Sequence, residues 1–406
     1  MTKSVAVPFP VMVGGHICLD VIPALRGEGF GLAPGKLMNI GQAVLAAGGA
    51  VANTGLALHR LGIPVKPMGK IGDDIFGHAL LSIFRNEQDS LANEMIISAG
   101  ESTSYSIVLS PPATDRMFLH YTGANDTFGS EDVKAGPLAD AGLFHFGYPP
   151  LMRRMYENGG TELISLMQRA KSAGATTSLD LAMPDPDAAA GRQDWKSILG
   201  GVLPYVDLFL PSIEELLFML RREQYDQLLQ KHGNERLIEY VDSELLRALS
   251  SDLFAMGAAV VVLKLGEHGL YMRTTAVKER FRKAGRYCPK HDEWLARELY
   301  IPCFNVEAAG TTGAGDCAIA GFLAGFIQGL KPEQVLIGAA ATGACSVERM
   351  DATSGIPPWD NVRLRVASGW RQHEPKPFLE GYRANDQHHA VVYQSSWDGI
   401  SNPEYT

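Results

Sequence analysis

The sequence predicts a three-layer α/β fold, in which helices cover both faces of a mostly parallel sheet. Two observations support this prediction. Short apolar runs typical of buried strands recur along the 406-residue chain, and helical patterns separate most of them. Strands that alternate with helices form parallel crossover units. A composition of 46% hydrophobic and 20% charged residues is ordinary for a globular protein.

The predicted strands are short and apolar. The first covers residues 11–15 and runs into two glycines, which indicate a turn. The later strand-like runs are 65–71, 142–146, 175–180, 206–210 and 258–263. Residues 104–110 and 117–121 alternate well enough to predict a β-hairpin across Pro111-Pro112.

Helical patterns fill most of the intervals. They cover residues 53–61, 77–84, 161–173, 213–220 and the almost wholly apolar segment 317–330. The last segment has no charge before Lys331, so it is predicted to be a buried helix. Three segments do not fit the alternation: a charged helical stretch at about 221–251, predicted to be a surface insertion, a basic stretch at 277–297, and a C-terminal tail at 371–406, whose role stays open.

Charge and cysteine usage exclude several classes of function. A net charge of −9 disfavours nucleic acid and anionic membranes as partners, since both require a basic surface. The five cysteines are scattered and form no Cys-x-x-Cys pair, which favours reduced thiols. The apolar runs are too short to span a bilayer, and residues 1–10 have no long apolar core of a signal peptide. We therefore expect a cytoplasmic protein.

Residues 311–316 are the most informative part of the sequence. They are Thr311-Thr312-Gly313-Ala314-Gly315-Asp316, directly before the apolar helix. Glycines let the backbone approach a ligand, and the start of a helix offers free N–H groups, so the pattern predicts an anion site. A carboxylate repels an anion there unless it takes a proton from an attacking hydroxyl. The alternative is that Asp316 only caps the helix and the glycines only form a turn.

This string resembles the signature of the ribokinase-like (PfkB) carbohydrate and nucleoside kinases, where it ends in the catalytic base. The resemblance implies that Asp316 is the general base, with ATP and Mg²⁺ as cofactors. It implies that the backbone N–H groups of Gly313, Ala314, Gly315 and Asp316 stabilise the transferring phosphoryl group. It further implies nucleotide contacts at Thr311, Thr312, Gly313 and Gly315.

Two upstream segments extend the resemblance to a site for the acceptor. Gly48-Gly49-Ala50-Val51-Ala52-Asn53 is similar to the family's Gly-Gly-x-x-x-Asn element, which lines the substrate site. Asp20 follows the first predicted strand, where the family places an aspartate that binds hydroxyl groups. The resemblance implies substrate contacts from Asp20, Gly48, Gly49 and Asn53. Without the resemblance, Asp20 is an ordinary turn residue and Asn53 a polar residue in the first turn of a helix, while His16 and Cys18 are interpreted as packing residues.

Two further segments resemble the nucleotide and metal side of the family site. Pro211 and Glu215 match a Pro-Asn-x-x-Glu pattern whose glutamate helps to place Mg²⁺, although Ser212 replaces the asparagine. Glu214 is the fallback for this role. Lys264 and Gly266 follow a predicted strand in a loop that runs beside the nucleotide. For Lys264, and for Arg116 in the hairpin, a solvated surface position is the alternative.

One departure concerns a monovalent cation. Gly310 stands where the family has an aspartate that supports a potassium site, which puts K⁺ activation in doubt. Glu307 is a candidate substitute. The chain has no Walker A sequence. It also has no Gly-x-Gly-x-x-Gly opening, and this second absence disfavours a dinucleotide-dependent oxidoreductase.

Together, the resemblance implies a Rossmann-like fold over residues 1–370, with a small β lid built from parts of 21–47 and 103–123. It implies transfer of a phosphoryl group from ATP to a hydroxyl of a sugar or nucleoside. Lids of this family often form dimer contacts, so a homodimer through the lid is possible. The departures at Ser212 and Gly310 leave open a catalytically weak sugar- or nucleotide-binding protein on the same fold.

Overall fold

The computed structural model describes residues 7–25, 34–110, 117–233, 237–289, 292–376, 381–387 and 389–399. Within these ranges the chain forms sixteen strands and thirteen α-helices. The strands form one large sheet, a smaller four-stranded sheet and a two-stranded sheet. The turn of the predicted hairpin, residues 111–116 with Arg116, lies outside the described residues, as do residues 26–33 of the predicted lid.

The large sheet has ten strands. Six neighbouring strands, counted from one edge of the sheet, run parallel to one another. In spatial order they are β4 (Val65–Met68), β1 (Val11–Gly15), β9 (Leu143–Gly147), β10 (Thr176–Leu179), β11 (Leu208–Phe209) and β12 (Val260–Lys264). Each of them overlaps a run that the sequence predicts to be a strand, so the predicted parallel α/β fold is confirmed. The predicted run 65–71 divides, because β5 (Lys70–Gly72) leaves the large sheet and pairs with β6 (Ile96–Ser98).

The other four strands continue the sheet in antiparallel order. They are β13 (Leu270–Thr274), β14 (Glu298–Ile301), β16 (Ala390–Ser395) and the edge strand β15 (Tyr382–Gln387). The tail that the sequence left without a role therefore supplies two edge strands. In β16, Tyr393 pairs with Tyr300 of β14, and Val392 is fully buried.

Two helical layers cover the sheet. One contains α3 (Ala135–Asp140), α4 (Arg153–Tyr156), α5 (Thr161–Ser172), α6 (Trp195–Val202), α7 (Ile213–Leu220) and α9 (Ser243–Ala255); the other contains α1 (Ala50–Arg60), α10 (Lys278–Arg282), α11 (Ala314–Ile327), α12 (Pro332–Val347) and α13 (Trp359–Ala367). Strand residues alternate between the layers: Val11 and Val13 belong to the second core and Met12 to the first. No helix in the described ranges is long and apolar enough to cross a membrane.

The predicted insertion at 221–251 divides into two parts. α8 (Arg222–His232) has no buried residue and lies on the surface, as predicted for the whole stretch. The following helix, α9, buries Leu246, Leu249 and Leu253 in the first core, so it is a regular layer helix. The basic stretch at 277–297 is also anchored in the core, since Trp294 is buried edge-on against Phe326.

The four-stranded sheet fits the predicted lid. Its order is β3 (Ala43–Gly48), β2 (Cys18–Pro23), β7 (Tyr105–Leu109) and β8 (Met117–Tyr121). β7 and β8 pair antiparallel, as the predicted hairpin requires. α2 (Ile75–Glu87) packs against this sheet in a third cluster that includes Leu19 of β2 and Phe84 of the helix.

Register gives the two faces of the lid sheet different chemistry. One cross-strand row consists of Ala46, Asp20, Ser106 and His120. The neighbouring row, which points to the opposite face, consists of Leu45, Val21, Ile107 and Leu119. The lid therefore has a polar inner face at Asp20 and an apolar outer face.

Candidate active site

The glycine loop leads into α11 with backbone geometry that only glycine adopts easily. Gly313 has a φ of 70°, in the left-handed region, and a Cβ added there would lie 2.4 Å from the Cβ of Ala352. α11 begins at Ala314, and no described side chain caps it. The Ala314 N–H donates to the Thr311 carbonyl at 3.4 Å. The other first-turn N–H groups and the positive end of the dipole have the character of an anion site.

Asp316 lies in the first turn of this helix and is buried. Its Oδ2 accepts hydrogen bonds from Asn53 Nδ2 at 2.9 Å and from the Tyr148 hydroxyl at 2.7 Å. Its Oδ1 has no hydrogen-bond partner among the described residues. Burial raises the pKa of Asp316, while Lys264, Tyr148 and Asn53 oppose that rise. One carboxylate oxygen is thus fixed and the other is free to accept a proton.

Tyr148 is a site residue that the sequence did not identify. It follows β9 directly and adopts a left-handed φ of 65°, although Pro149 comes next. Such a conformation costs free energy, of order 1–3 kcal/mol, for a residue other than glycine. The hydrogen bond to Asp316 accompanies this strained conformation. The sequence offered one clue to Tyr148, its position directly after a predicted strand. The residues that follow parallel strands lie together at the carboxyl ends of those strands.

A buried ion pair lies at the same edge of the sheet. Lys264 Nζ at the end of β12 is 2.5 Å from Asp180 Oδ1, directly after β10. Burial alone would lower the pKa of Lys264, but Asp180, Glu215 and Asp316 outweigh it and raise that pKa. The lysine therefore stays charged. A Cβ added at Gly315 would lie 3.3 Å from Lys264 Cδ, so the lysine stem passes close to the glycine loop.

Asp180 was not singled out from the sequence either. It is fully buried, and its Oδ2 has no partner among the described residues. Burial raises the pKa of Asp180 well above its ordinary value; Lys264 opposes this, and Glu215 and Asp316 reinforce it. Three carboxylates thus share one ammonium group, which leaves a local excess of negative charge that favours a further cation.

Ser212 and Glu215 form a capping box at the start of α7. Glu215 Oε2 accepts from the Ser212 N–H at 2.7 Å, and Ser212 Oγ accepts from the Glu215 N–H at 3.3 Å. Serine at position 212 therefore has a local role that asparagine also performs in helix caps. The box holds the Glu215 carboxylate near Asp180 and Lys264.

Asp20 lies in the middle of β2, not in the turn that its position after a predicted strand suggested. Cys18 Sγ–H donates to its Oδ1 at 3.3 Å, and burial raises the pKa of Asp20 to about 6, against the hydrogen bonds from Cys18 and Ser106. A Cβ added at Gly48 would lie 2.3 Å from Asp20 Oδ2. Glycine at 48 thus leaves room for this carboxylate.

The neighbouring Gly49 caps α1 with a φ of 82°, and a Cβ there would lie 2.6 Å from both the carbonyl oxygen and Nδ1 of His16. Asn53 is one turn further along α1, and its amide Nδ2–H donates a hydrogen bond to Asp316. Asn53 therefore links the glycine element to the proposed base, which the sequence did not predict.

The structure brings the predicted residues into two adjacent groups. One is built around Asp316 and includes Gly313, Gly315, Asn53 and Lys264; the other lies in the lid around Asp20 and Gly48. Gly266 lies in an exposed turn after β12, and Thr311 is exposed before α11. Glu307, the candidate substitute for a potassium ligand, is also exposed.

The chain is similar to known proteins over most of its length. The sequence profile described as "pfkB family carbohydrate kinase" matches residues 10–359. The chain belongs to the PfkB family. Among curated relatives, the "Probable fructokinase-4" of Arabidopsis thaliana is 26% identical over 371 residues, covering 89% of this chain and 96% of that protein. An "Uncharacterized sugar kinase" of Archaeoglobus fulgidus is 24% identical and covers 74% of this chain and 98% of the relative.

Solved structures of PfkB-type proteins share the fold. A fructokinase with bound ATP from Xylella fastidiosa superposes with a TM-score of 0.65 at 20% identity, over 88% of this chain and 98% of that one. An Arabidopsis thaliana ribokinase complexed with ribose and ATP gives 0.64 at 18% identity, over 87% and 97%. The PfkB domain therefore spans most of the chain, and strands β15 and β16 lie beyond the matched residues.

Proposed function

We propose that this protein transfers the γ-phosphoryl group of ATP to a hydroxyl of a sugar. The observation that supports this most directly is Asp316, whose free carboxylate oxygen lies at the uncapped start of α11. A base and an anion site at the same helix end are the two elements that phosphoryl transfer to an alcohol requires. The fructokinases and the sugar kinase among the relatives favour a sugar over a nucleoside as the acceptor.

Different residues of the chain bind the acceptor, take its proton and stabilise the transferring group. Asp20 on the inner lid face accepts hydrogen bonds from acceptor hydroxyls, and the amide oxygen of Asn53 adds a second contact. Asp316 Oδ1 takes the proton of the attacking hydroxyl, while Asn53 and Tyr148 hold Oδ2 in place. The N–H groups of Gly313 to Asp316 stabilise negative charge on the group in transfer. The lid excludes water from the acceptor.

The residues present fit ATP and Mg²⁺. Among the described residues no side chain caps the start of α11, which suits a phosphate. The buried Asp180 Oδ2 has no hydrogen-bond partner among the described residues, and Glu215 is near enough to contribute to the raised pKa of Asp180. Hard divalent cations prefer such carboxylate oxygens. When bound, ATP supplies the phosphoryl group and Mg²⁺ neutralises charge on its phosphates. Glu215 would orient the metal, and Lys264 and Gly266 would lie beside the nucleotide. The exposed position of Glu307 does not favour it as a potassium ligand.

A phosphoryl-transfer assay with ATP and Mg²⁺ tests the proposal. The acceptor panel begins with fructose and ribose, continues with other hexoses and pentoses, and ends with nucleosides. We expect an ATP-dependent phosphorylated product with at least one sugar. Measurable nucleotide binding without product from any acceptor would instead support a catalytically weak binding protein, the alternative that Ser212 and Gly310 suggest.

Replacing Asp20 with asparagine should weaken acceptor binding and stabilise the fold. The pKa of Asp20 rises from 3.8 to about 6, so the folded chain keeps the proton at pH values where the unfolded chain has lost it. This group therefore lowers stability as pH rises from about 4 to 6, and the whole cost is present above pH 6. Asp20→Asn should gain up to roughly 3 kcal/mol at pH 7–8 and little at pH 4, by denaturant unfolding.

The matched control is Asp140→Asn, which alters an exposed carboxylate. It should change the unfolding free energy by less than about 0.5 kcal/mol at every pH. In the kinase assay, Asp20→Asn should raise the KM for the acceptor and leave the KM for ATP near that of the parent. A lower stability for Asp20→Asn at pH 7 would contradict the interpretation of Asp20 as a functional residue that costs stability.

A second copy of the chain is the proposed partner of the outer lid face. Leu45 and Leu119 are more than half exposed in one apolar cross-strand row, and exposed apolar patches commonly mark interfaces. We expect a dimer by sedimentation velocity, and a monomer for the double variant Leu45→Glu, Leu119→Glu. Leu364→Glu, at an exposed leucine of α13, should remain dimeric. A monomeric parent at tens of micromolar would refute this assignment.

A further inference from the structure

Two histidines and a cysteine meet where the lid joins the core. His16 follows β1, Cys18 begins β2, and His120 lies on β8 of the lid. The two imidazoles are 3.2 Å apart at their Nε2 atoms, and one ligand atom from each of the three residues lies within 4.8 Å of the others. We propose that these residues form a binding site for Zn²⁺.

The donor set matches the coordination preferences of zinc. Imidazole nitrogen and thiolate sulfur are its preferred ligands, at about 2.0–2.1 Å and 2.3 Å respectively. Tetrahedral geometry with these bond lengths separates the donor atoms by roughly 3.3–3.6 Å. The distance of 3.2 Å between the Nε2 atoms of His16 and His120 is already close to that separation. Little rearrangement is needed at these two ligands.

Ser106 orients His120 toward the proposed ion. Its Nδ1 lies 2.9 Å from Ser106 Oγ. When Nδ1–H donates to this oxygen, Nε2 presents its lone pair to His16, the arrangement found in histidines that bind metals. Two neutral imidazoles facing each other through Nε2 form at most one hydrogen bond, whereas a cation between them binds both lone pairs.

Local charge also favours a divalent cation. Asp20 Oδ1 lies 3.3 Å from Cys18 Sγ, so a Cys18 thiolate and the Asp20 carboxylate would together balance the charge of Zn²⁺. As the sulfur–zinc bond forms, the thiol proton leaves to solvent. The fourth position is filled by water. A bound ion would tie β8 of the lid to β1 and β2, and its soft ligands distinguish this site from the carboxylates around Lys264, which suit Mg²⁺.

The test uses the full chain and metal alone, so its outcome does not depend on the proposed kinase activity. Metal is first removed with a chelator, and Zn²⁺ is titrated in competition with a chromophoric chelator. Co²⁺ then serves as a spectroscopic probe. We expect one Zn²⁺ per chain and a near-ultraviolet thiolate-to-Co²⁺ band. Cys18→Ser should abolish that band, and His120→Ala should weaken binding by more than tenfold. Ser106→Ala should weaken it by about tenfold, because His120 loses the hydrogen bond that orients its ring.

The matched control is the group formed by Glu239, Glu267 and His268, which also has metal-ligand spacing but carries no cysteine. His268→Asn should leave the Zn²⁺ affinity and the Co²⁺ band unchanged. Metal-free unfolding curves check that each variant folds. Zinc affinity equal in the parent, Cys18→Ser and His120→Ala would overturn the proposal. So would a Co²⁺ complex without a thiolate band, or binding that is lost in His268→Asn.

Discussion

The variant Asp316→Asn should lose nearly all turnover and still bind ATP. General-base catalysis contributes roughly 10²–10⁴-fold to rate, and an amide cannot take the proton of the acceptor hydroxyl. We expect kcat to fall by at least about 10²-fold. Steady-state kinetics with the best acceptor gives kcat, and calorimetric titration with nucleotide gives the ATP affinity.

The local structure makes this substitution a clean test. An asparagine at 316 can place its amide oxygen where Oδ2 accepts from Asn53 and Tyr148. The amide nitrogen then takes the place of Oδ1, which has no partner among the described residues. Because burial raises the pKa of Asp316, a neutral side chain should not destabilise the fold. Lost activity would therefore report chemistry, provided that unfolding and ATP binding stay near those of the parent.

The matched control is Tyr148→Phe, which removes one hydrogen bond to Asp316 and keeps the carboxylate. It should reduce kcat much less than Asp316→Asn does, because the carboxylate is still present and only one of the two hydrogen bonds that hold it in place is lost. Activity of Asp316→Asn within a few-fold of the parent would rule out Asp316 as the base.

The variant Lys264→Met should lose stability as well as activity. Lys264 is the ion-pair partner of Asp180, which is fully buried. Removing one member of a buried pair typically costs about 3–5 kcal/mol, because the remaining charge is left without compensation. Denaturant unfolding should show a loss of this size. The kinase assay should show a further decrease per folded molecule, since a cation beside the phosphate site is lost.

The double variant Lys264→Met, Asp180→Asn separates the two effects. It should recover most of the stability, because no uncompensated charge remains, and it should not recover activity. Asp207 provides a comparison directly before β11, at the opposite end of the parallel strands. Its Oδ1 lies 2.5 Å from Lys171 Nζ and 2.8 Å from Arg280 Nη1. Asp207→Asn should destabilise the protein and leave kcat per folded molecule unchanged. Lys264→Met with an unfolding free energy within about 1 kcal/mol of the parent would contradict the role of this buried pair.

Much of the fold was predictable because it depends on local patterns. Buried parallel strands give short apolar runs, and each of the six runs from 11–15 to 258–263 overlaps a parallel strand of the large sheet. The lid strands were harder to predict. β2 and β3 are short and carry small or polar residues such as Asp20 and Gly48, so their alternation is weak. The edge strands β15 and β16 are stabilised by pairing with β14, which no local pattern reveals.

The sequence by itself determined the α/β class, and it predicted an anion site at residues 311–316 with Asp316 as the candidate base, because these follow from patterns within a few residues. Only the tertiary structure decided which groups act on that base. Asn53 is 263 residues from Asp316 in sequence and Tyr148 is 168 residues away, yet both donate to its Oδ2. It also decided that Lys264 pairs with Asp180 and that His16, Cys18 and His120 meet. Such contacts depend on how parallel strands and the lid bring distant segments to one edge of the sheet, and this information is not contained in any single segment.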